Sequence, residues 1–256
     1  MTEYAGSPGS LLYLTDVAPY ATVSGSDVSA RIAGVHQSLT SSVLALEEMA
    51  ELAGLSFVHR SRVSLVSTDD LERAEALALY TIGDTPWSRA QKENVLKRVQ
   101  SGDLGILGIH SATDSSHTWP EYQQLVGARF EGHPVTTELH LDVLAQNHPA
   151  TSHLGQTWTI RDELYVFRGL RDDAQVLLQV SEGTLGGLEG TLPGGTLPLS
   201  WCFSEGRGGC FYTSLGHFVA AFEDANYLRH LFGGLVWVRG ERRGGLGNSS
   251  LRANRE

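Results

Sequence analysis

Residues 104–114 read LGILGIHSATD. The apolar run Leu104–Ile109 predicts a buried strand, and the polar pair His110-Ser111 marks its abrupt end. A strand that turns sharply into a helix is how a nucleophile elbow is built. Short apolar runs alternate with helical patterns around this stretch, which predicts an α/β fold whose mostly parallel sheet is covered by helices on both faces.

The pattern of predicted secondary structure divides the rest of the chain into two parts. In the first part, strands are predicted at Leu11–Leu14, Phe57–His59, Ala76–Tyr80 and Leu104–Ile109, and helices at about residues 36–53 and 85–100. In the second part, strands are predicted at Val135–Val143, Leu164–Phe167, Ala174–Val180, Leu197–Trp201 and Cys210–Thr213, with a closing helix at Asp224–Val238. We expect one α/β domain over residues 1–238 with an additional β-rich segment, and a disordered tail over residues 239–256.

The composition excludes several classes of protein. Apolar residues make up 41% of the 256 residues and charged residues 19%, which allows a substantial core. The net charge of −10 argues against nucleic-acid binding and against anionic membranes, and two cysteines are too few for a disulfide scaffold. The sequence has no run of about 20 apolar residues, no signal-peptide pattern and no glycine-rich phosphate loop. We therefore expect a cytoplasmic protein with no membrane span and no nucleotide cofactor.

Polar residues that follow strands are the candidate site residues, because ligands of open parallel sheets bind beyond the carboxyl ends of the strands. His110 and Ser111 follow one strand, His217 follows another, and Asp16 follows the first. His110 is interpreted as a base, a metal ligand or an orienting donor, with a strand-end histidine bonded to backbone as the alternative. Ser111 lacks a Gly-x-Ser-x-Gly frame, which disfavours a serine hydrolase.

Two further segments combine aromatic and polar residues. His117 and Trp119 suit the apolar face of a sugar ring, although Trp119 could equally pack a helix onto the sheet. Asp162 and Glu163 stand at the start of a predicted strand, on which Glu163 and Tyr165 point away from the face of Asp162. An edge-strand charge pair is the alternative.

The histidine content permits a metal site. Imidazole with a carboxylate suits zinc, manganese or iron. No His-Glu-x-x-His spacing occurs, so a divalent metal, zinc or manganese, would be held by residues from distant loops. His133 and His148 each precede a proline, which defines a turn but does not account for the histidine.

Several of these segments occur together in a fixed order. They are Gly108–Asp114, His117–Tyr122, Gly127–Pro134, Asn147–Thr151, Asp162–Tyr165, Pro198–Trp201, Phe211–His217 and Arg229–Trp237. This series resembles the ThuA-like, or trehalose-utilisation, family, most strongly over residues 75–238. The resemblance implies a class I glutamine-amidotransferase-like fold, which is a flavodoxin-like three-layer sandwich.

The resemblance also implies a function and a set of site residues. The elbow carries no cysteine, and Val219 stands where an acid would follow His217, so a glutaminase is not expected. The family implies an enzyme acting on a sugar or keto-sugar, or alternatively a sugar-binding or regulatory protein without catalysis. The implied catalytic residues are His110, His217, Glu163 and His117, and the implied substrate-binding residues are Ser111, Asp16, Trp119, His133, His148 and Tyr165. His36 matches the histidine that the family carries after its first strand, and would join His110 and His217 as a metal ligand. The expected partner is a small sugar, and a homo-oligomer is left open.

Overall fold

The computed structural model describes residues 9–19, 38–181 and 195–240. The strands are β1 Ser10–Leu14, β2 Ser56–Arg60, β3 Ala74–Leu79, β4 Gly105–Ile109, β5 Arg129–Gly132, β6 Thr136–Val143, β7 Thr157–Glu163, β8 Val166–Arg168, β9 Gln175–Ser181, β10 Thr196–Glu205 and β11 Gly208–Thr213. The α-helices are α1 Leu39–Leu52, α2 Thr68–Arg73, α3 Arg89–Ser101, α4 Pro120–Val126 and α5 Ala225–Gly240. Short 3-10 turns lie at Val63–Leu65, His110–Asp114 and Val219–Glu223.

One large sheet organises the described residues. It has nine strands in the order β2-β1-β3-β4-β11-β10-β9-β6-β7, and β5 pairs with β8 in a separate ribbon. The first five strands in that order, β2, β1, β3, β4 and β11, run parallel to one another. The other four, β10, β9, β6 and β7, each pair antiparallel with the strand before them. The predicted α/β fold with a parallel sheet and a β-rich segment is thus confirmed, and the β-rich segment extends the same sheet.

Apolar side chains cover both faces of the sheet. Along β1, Leu11 and Tyr13 join one core cluster and Leu12 and Leu14 join the other, because successive residues of a strand point to opposite faces. Helices α1 and α5 pack on the first cluster, and α3 and α4 pack on the second. The result is the predicted three-layer sandwich.

Helix α3 begins later than its sequence suggests. The Ser88 hydroxyl accepts a hydrogen bond from the Gln91 amide at 3.3 Å, and the Gln91 side chain accepts one from the Ser88 amide at 2.9 Å. This reciprocal capping box fixes the first turn, so the predicted start at Thr85-Pro86 was wrong. Gly102, in the left-handed conformation with φ of 80°, ends the helix as expected.

Strand β7 is the main difference from the prediction. Asp162 and Glu163 end this strand, whereas the sequence pattern had placed them at the start of one. The residues Thr157 to Asp162 alternate between exposed and buried side chains, which is the period of a half-buried strand. The predicted strand Leu164–Phe167 shortens to β8 and lies in the small ribbon.

His230 on α5 is sealed between that helix and the sheet. Its Nδ1 donates to the Ala150 carbonyl at 2.8 Å, and its ring lies 5.2 Å from the ring of Phe211. Burial lowers the pKa of His230 to about 3, although the bond to Ala150 opposes this shift. The folded protein therefore holds a neutral imidazole in its core.

This neutral imidazole predicts a loss of stability in acid. An unfolded histidine has a pKa of about 6.5, so below that pH the unfolded state binds a proton first and the free energy of unfolding falls progressively toward pH 3. Between about pH 7.5 and pH 5 the loss from His230 is about 2 kcal/mol. Urea unfolding measures this loss. Between about pH 7.5 and pH 5, the free energy of unfolding of His230→Gln should fall by about 2 kcal/mol less than that of the wild type. The variant His140→Gln, which changes an exposed residue, should show the same fall as the wild type. Equal losses in the wild type and His230→Gln would contradict the assignment.

Over residues 9–19, 38–181 and 195–240, no helix combines the length and the hydropathy that a bilayer crossing requires.

Candidate functional site

The chain bends sharply where β4 ends at His110. This residue has φ of 47°, in the left-handed region that favours glycine, and it opens the 3-10 turn His110–Asp114. The Tyr212 hydroxyl donates to the His110 carbonyl at 2.6 Å and supports the bend from β11. The predicted elbow therefore exists, and the histidine itself occupies the bent position.

The tautomer of His110 follows from its neighbours. Its Nδ1 lies 2.7 Å from the Ser214 carbonyl oxygen, which can only accept, so Nδ1 carries the proton. The Nε2 atom then presents a lone pair, and the Tyr165 hydroxyl donates to it at 2.9 Å. The ring of His110 is fully buried and is held edge-on against Tyr80, with 5.7 Å between the ring centroids.

Glu163 and His217 complete a cluster around this nitrogen. His110 Nε2 lies 3.2 Å from His217 Nδ1 and 3.5 Å from Glu163 Oε2, and His217 Nδ1 lies 3.4 Å from the same carboxylate oxygen. We call His110, Glu163, Tyr165 and His217 the histidine cluster. His133 stands at its rim, half exposed, with Nδ1 3.8 Å from Glu163 Oε1 and its ring stacked on Tyr165.

The ionisable groups of the histidine cluster are shifted by burial. Burial raises the pKa of Glu163 to about 7. Burial, and then the positive charge that His133 can carry, lower the pKa of His217. A carboxyl group near its pKa, beside an imidazole whose pKa is lowered, can both give and take a proton at neutral pH.

The sheet topology explains why distant residues meet here. His110 and His217 follow β4 and β11, which are parallel neighbours, so both side chains emerge at the same edge. Glu163 ends β7, which stands four places from β11 in the strand order. The antiparallel half must therefore curve back over the carboxyl ends of the parallel strands.

Asp162 is a buried carboxylate next to the histidine cluster that the sequence did not single out for the site. It accepts backbone hydrogen bonds from Gly216 at 2.7 Å, Glu163 at 2.8 Å and His217 at 3.4 Å. Burial raises its pKa to about 7, while these three hydrogen bonds act to lower it. The signal available in the sequence was only the adjacency to Glu163.

His117 and Trp119 lie at a neighbouring cavity rather than in the histidine cluster. Arg129 can only donate, so its bond of 3.0 Å to His117 Nδ1 leaves the proton on Nε2, which lies 3.2 Å from Asp114 Oδ1. Trp119 is buried against Trp87, 5.5 Å away between ring centroids. This placement matches the packing alternative for Trp119.

Two other predicted site residues make structural hydrogen bonds, and a third is buried. The Asp16 carboxylate accepts from the Val63 amide at 2.7 Å and so supports the loop after β2. His148 Nδ1 accepts from the Ala150 amide at 3.1 Å inside its own turn, and burial lowers the pKa of His148 to about 4. Ser111 is buried directly after His110. His36 lies outside the described residues.

The histidine cluster fits a divalent metal. His110, Glu163 and His217 each offer one ligand atom, and these atoms lie within 4.8 Å of one another. Bonds of about 2.0–2.1 Å in tetrahedral geometry place zinc ligands about 3.3 Å apart. The observed separations of 3.2, 3.4 and 3.5 Å agree with that spacing.

Comparison with known proteins indicates one family. The sequence model described as ThuA, trehalose utilisation, matches residues 28–238. The chain is similar in structure to a ThuA-like protein from Bacteroides uniformis ATCC 8492, with 19% identity and a TM-score of 0.66 over 92% of this chain and 93% of that chain. It is also similar to a ThuA-like protein from Parabacteroides merdae ATCC 43184, with 18% identity and a TM-score of 0.68 over 90% of each chain.

Part of a larger enzyme has a similar fold. A beta-galactosidase from Rahnella sp. R3 is similar at 10% identity and a TM-score of 0.53, over 90% of this chain and 31% of that chain. No curated protein sequence matches the chain significantly.

Proposed function

Because the chain belongs to the ThuA family, whose model is described as trehalose utilisation, we propose that it is an enzyme acting on a sugar or keto-sugar by acid–base chemistry. The observation that carries the proposal is the histidine cluster, in which two imidazoles, a carboxylate and a phenol converge at the carboxyl ends of parallel strands. Its expected partner is a small sugar, and Cys202 and Cys210 are buried thiols that form no disulfide, which suits the cytoplasm.

The residues of the histidine cluster supply a base and an acid for a keto-sugar. The lone pair of His110 Nε2 takes the proton from the carbon next to the carbonyl, and the electrons of that C–H bond form the C=C bond of an enol. Glu163, protonated at neutral pH in part, gives its proton to the carbonyl oxygen. Tyr165 orients the oxygen by a hydrogen bond once the substrate displaces its hydroxyl from His110.

In an alternative form of the site the same residues would hold a divalent ion, and the His110 lone pair and the Glu163 carboxylate would then be ligands instead of base and acid. An ion bound by His110, Glu163 and His217 would supply Lewis acidity for the carbonyl oxygen. Tyr165 and His133 remain at the rim of the histidine cluster, where they can orient a hydroxylated substrate and move a proton.

The test is turnover of 3-keto-disaccharides, followed by mass spectrometry. The wild type should convert at least one of them, and Glu163→Gln should reduce the rate at least about 100-fold because it cannot transfer the proton. Glu138→Gln, the same change at a well-exposed position on β6, should leave the rate within about twofold of the wild type.

Two outcomes would count against this function. Tight sugar binding by calorimetry without any conversion would favour a non-catalytic sugar-binding protein. Turnover that is unaffected by Glu163→Gln would show that the Glu163 carboxylate takes no part in the reaction.

A further inference from the structure

The loop after β11 carries groups that orient both histidines. The Ser214 carbonyl fixes the tautomer of His110, and His217 itself belongs to this loop. Between them, Gly216 has φ of 119°, a conformation that L side chains rarely adopt. An added Cβ there would lie 2.3 Å from the Tyr227 hydroxyl oxygen, so the backbone is closely enclosed. The position of this loop therefore decides the geometry of the histidine cluster.

Side chains from three other elements hold the Gly216 peptide groups. The Gly216 carbonyl accepts from the Ser38 hydroxyl at 2.6 Å and from the Tyr80 hydroxyl at 2.9 Å. The Gly216 amide donates to Asp162 Oδ2 at 2.7 Å. On the preceding peptide, the Leu215 carbonyl accepts from the Tyr227 hydroxyl at 2.8 Å. The loop is thus clamped from both sides by hydrogen bonds from the protein itself.

Asp162 is the acceptor in this clamp. Its side chain is fully buried. Its two oxygens accept hydrogen bonds from three backbone amides, those of Gly216 and His217 in the loop and that of Glu163 on β7. It therefore joins the backbone of Glu163 to the backbone of His217. The side chains of Glu163 and His217 are two of the three that could hold a metal ion.

We propose that Asp162 is a positioning residue that locks the backbone of His217 to that of Glu163, so that the histidine cluster is assembled in advance of its ligand. The effect on turnover rests on the proposed function, but the positioning of the imidazoles does not. An asparagine at this position has one acceptor oxygen and an NH2 group, so its NH2 would face a backbone N–H that needs an acceptor. At least one of the clamping bonds is then lost.

The test compares Asp162→Asn with the charge-matched variant Asp172→Asn, which changes an exposed residue. Zinc binding is measured by calorimetry, and the ring nitrogens of the histidines are observed by NMR after nitrogen-15 labelling. Asp162→Asn should weaken zinc binding about 10- to 100-fold, the effect of removing an outer partner of a ligand, and should shift the ring signals of His217. Asp172→Asn should change neither.

A second variant keeps the proposal testable if Asp162→Asn fails to fold. Tyr80→Phe removes one hydroxyl from the opposite side of the Gly216 peptide and keeps the ring against His110, so it should shift the His217 signals in the same direction by a smaller amount. Wild-type ring signals and wild-type zinc affinity in both folded variants would overturn the positioning role. If the wild type binds no zinc, metal assistance fails, and the ring signals alone decide the role of Asp162.

Discussion

His110→Asn is expected to lower the turnover of keto-disaccharides by about 100- to 10,000-fold, the range that a positioned acid or base contributes. Asparagine is chosen because it tolerates the left-handed backbone that His110 adopts, with φ of 47°. The substitution therefore removes the imidazole from the histidine cluster without forcing the bend after β4 to change. The rate should be measured by mass spectrometry at saturating substrate.

His117→Asn is the matched control for this experiment. His117 was also predicted as a catalytic histidine, but its ring is engaged by Arg129 and Asp114 beside a neighbouring cavity. We expect a loss of less than about tenfold. Comparable losses in the two variants would mean that the cavity and the histidine cluster act together, and no loss in His110→Asn would refute the role of His110.

Trp201→Ala is expected to lower the free energy of unfolding by about 3–5 kcal/mol. The indole of Trp201 is fully buried on β10, its ring centroid lies 4.4 Å from that of Tyr212, and its Nε1 donates to the Val126 carbonyl at 3.0 Å. Removing it leaves a cavity and an unpaired carbonyl in the second core cluster. Urea unfolding at neutral pH measures the loss.

The variant Trp201→Phe separates the contribution of ring packing from that of the hydrogen bond to Val126. It keeps an aromatic ring beside Tyr212 and loses the bond to Val126, so we expect a smaller loss of about 1–2 kcal/mol. A loss of less than about 1 kcal/mol for Trp201→Ala would show that the core around β10 collapses around the missing ring.

The parallel part of the fold could be predicted from sequence because its strands are buried on both faces. Such strands appear as continuous apolar runs, as β1 and β4 do. Strand β7 gives a weaker signal than β6, because only two of its alternating buried residues, Trp158 and Ile160, are apolar and the third, Asp162, is a carboxylate. Local pattern also could not show that the antiparallel half curves back, since that depends on contacts between residues far apart in the chain.

The histidine cluster was partly predictable for a related reason. His110 directly follows β4 and His217 lies in the loop after the neighbouring parallel strand β11, so the strand-end rule applies to both. The same rule selected Asp16, whose carboxylate instead supports the Val63 amide. Asp162 could not be assigned, because its role depends on the backbone amide of Gly216, which lies 54 positions further along the chain.

The left-handed backbone at His110 has a consequence for engineering. A glycine would adopt that conformation without strain, whereas a histidine there costs on the order of 1 kcal/mol. A glycine would nevertheless delete a fully buried ring and leave the Ser214 carbonyl without its hydrogen bond, and this loss exceeds the strain that it relieves. A library screened only for survival at high temperature should therefore keep histidine at this bend, so that heat resistance and chemistry favour the same residue.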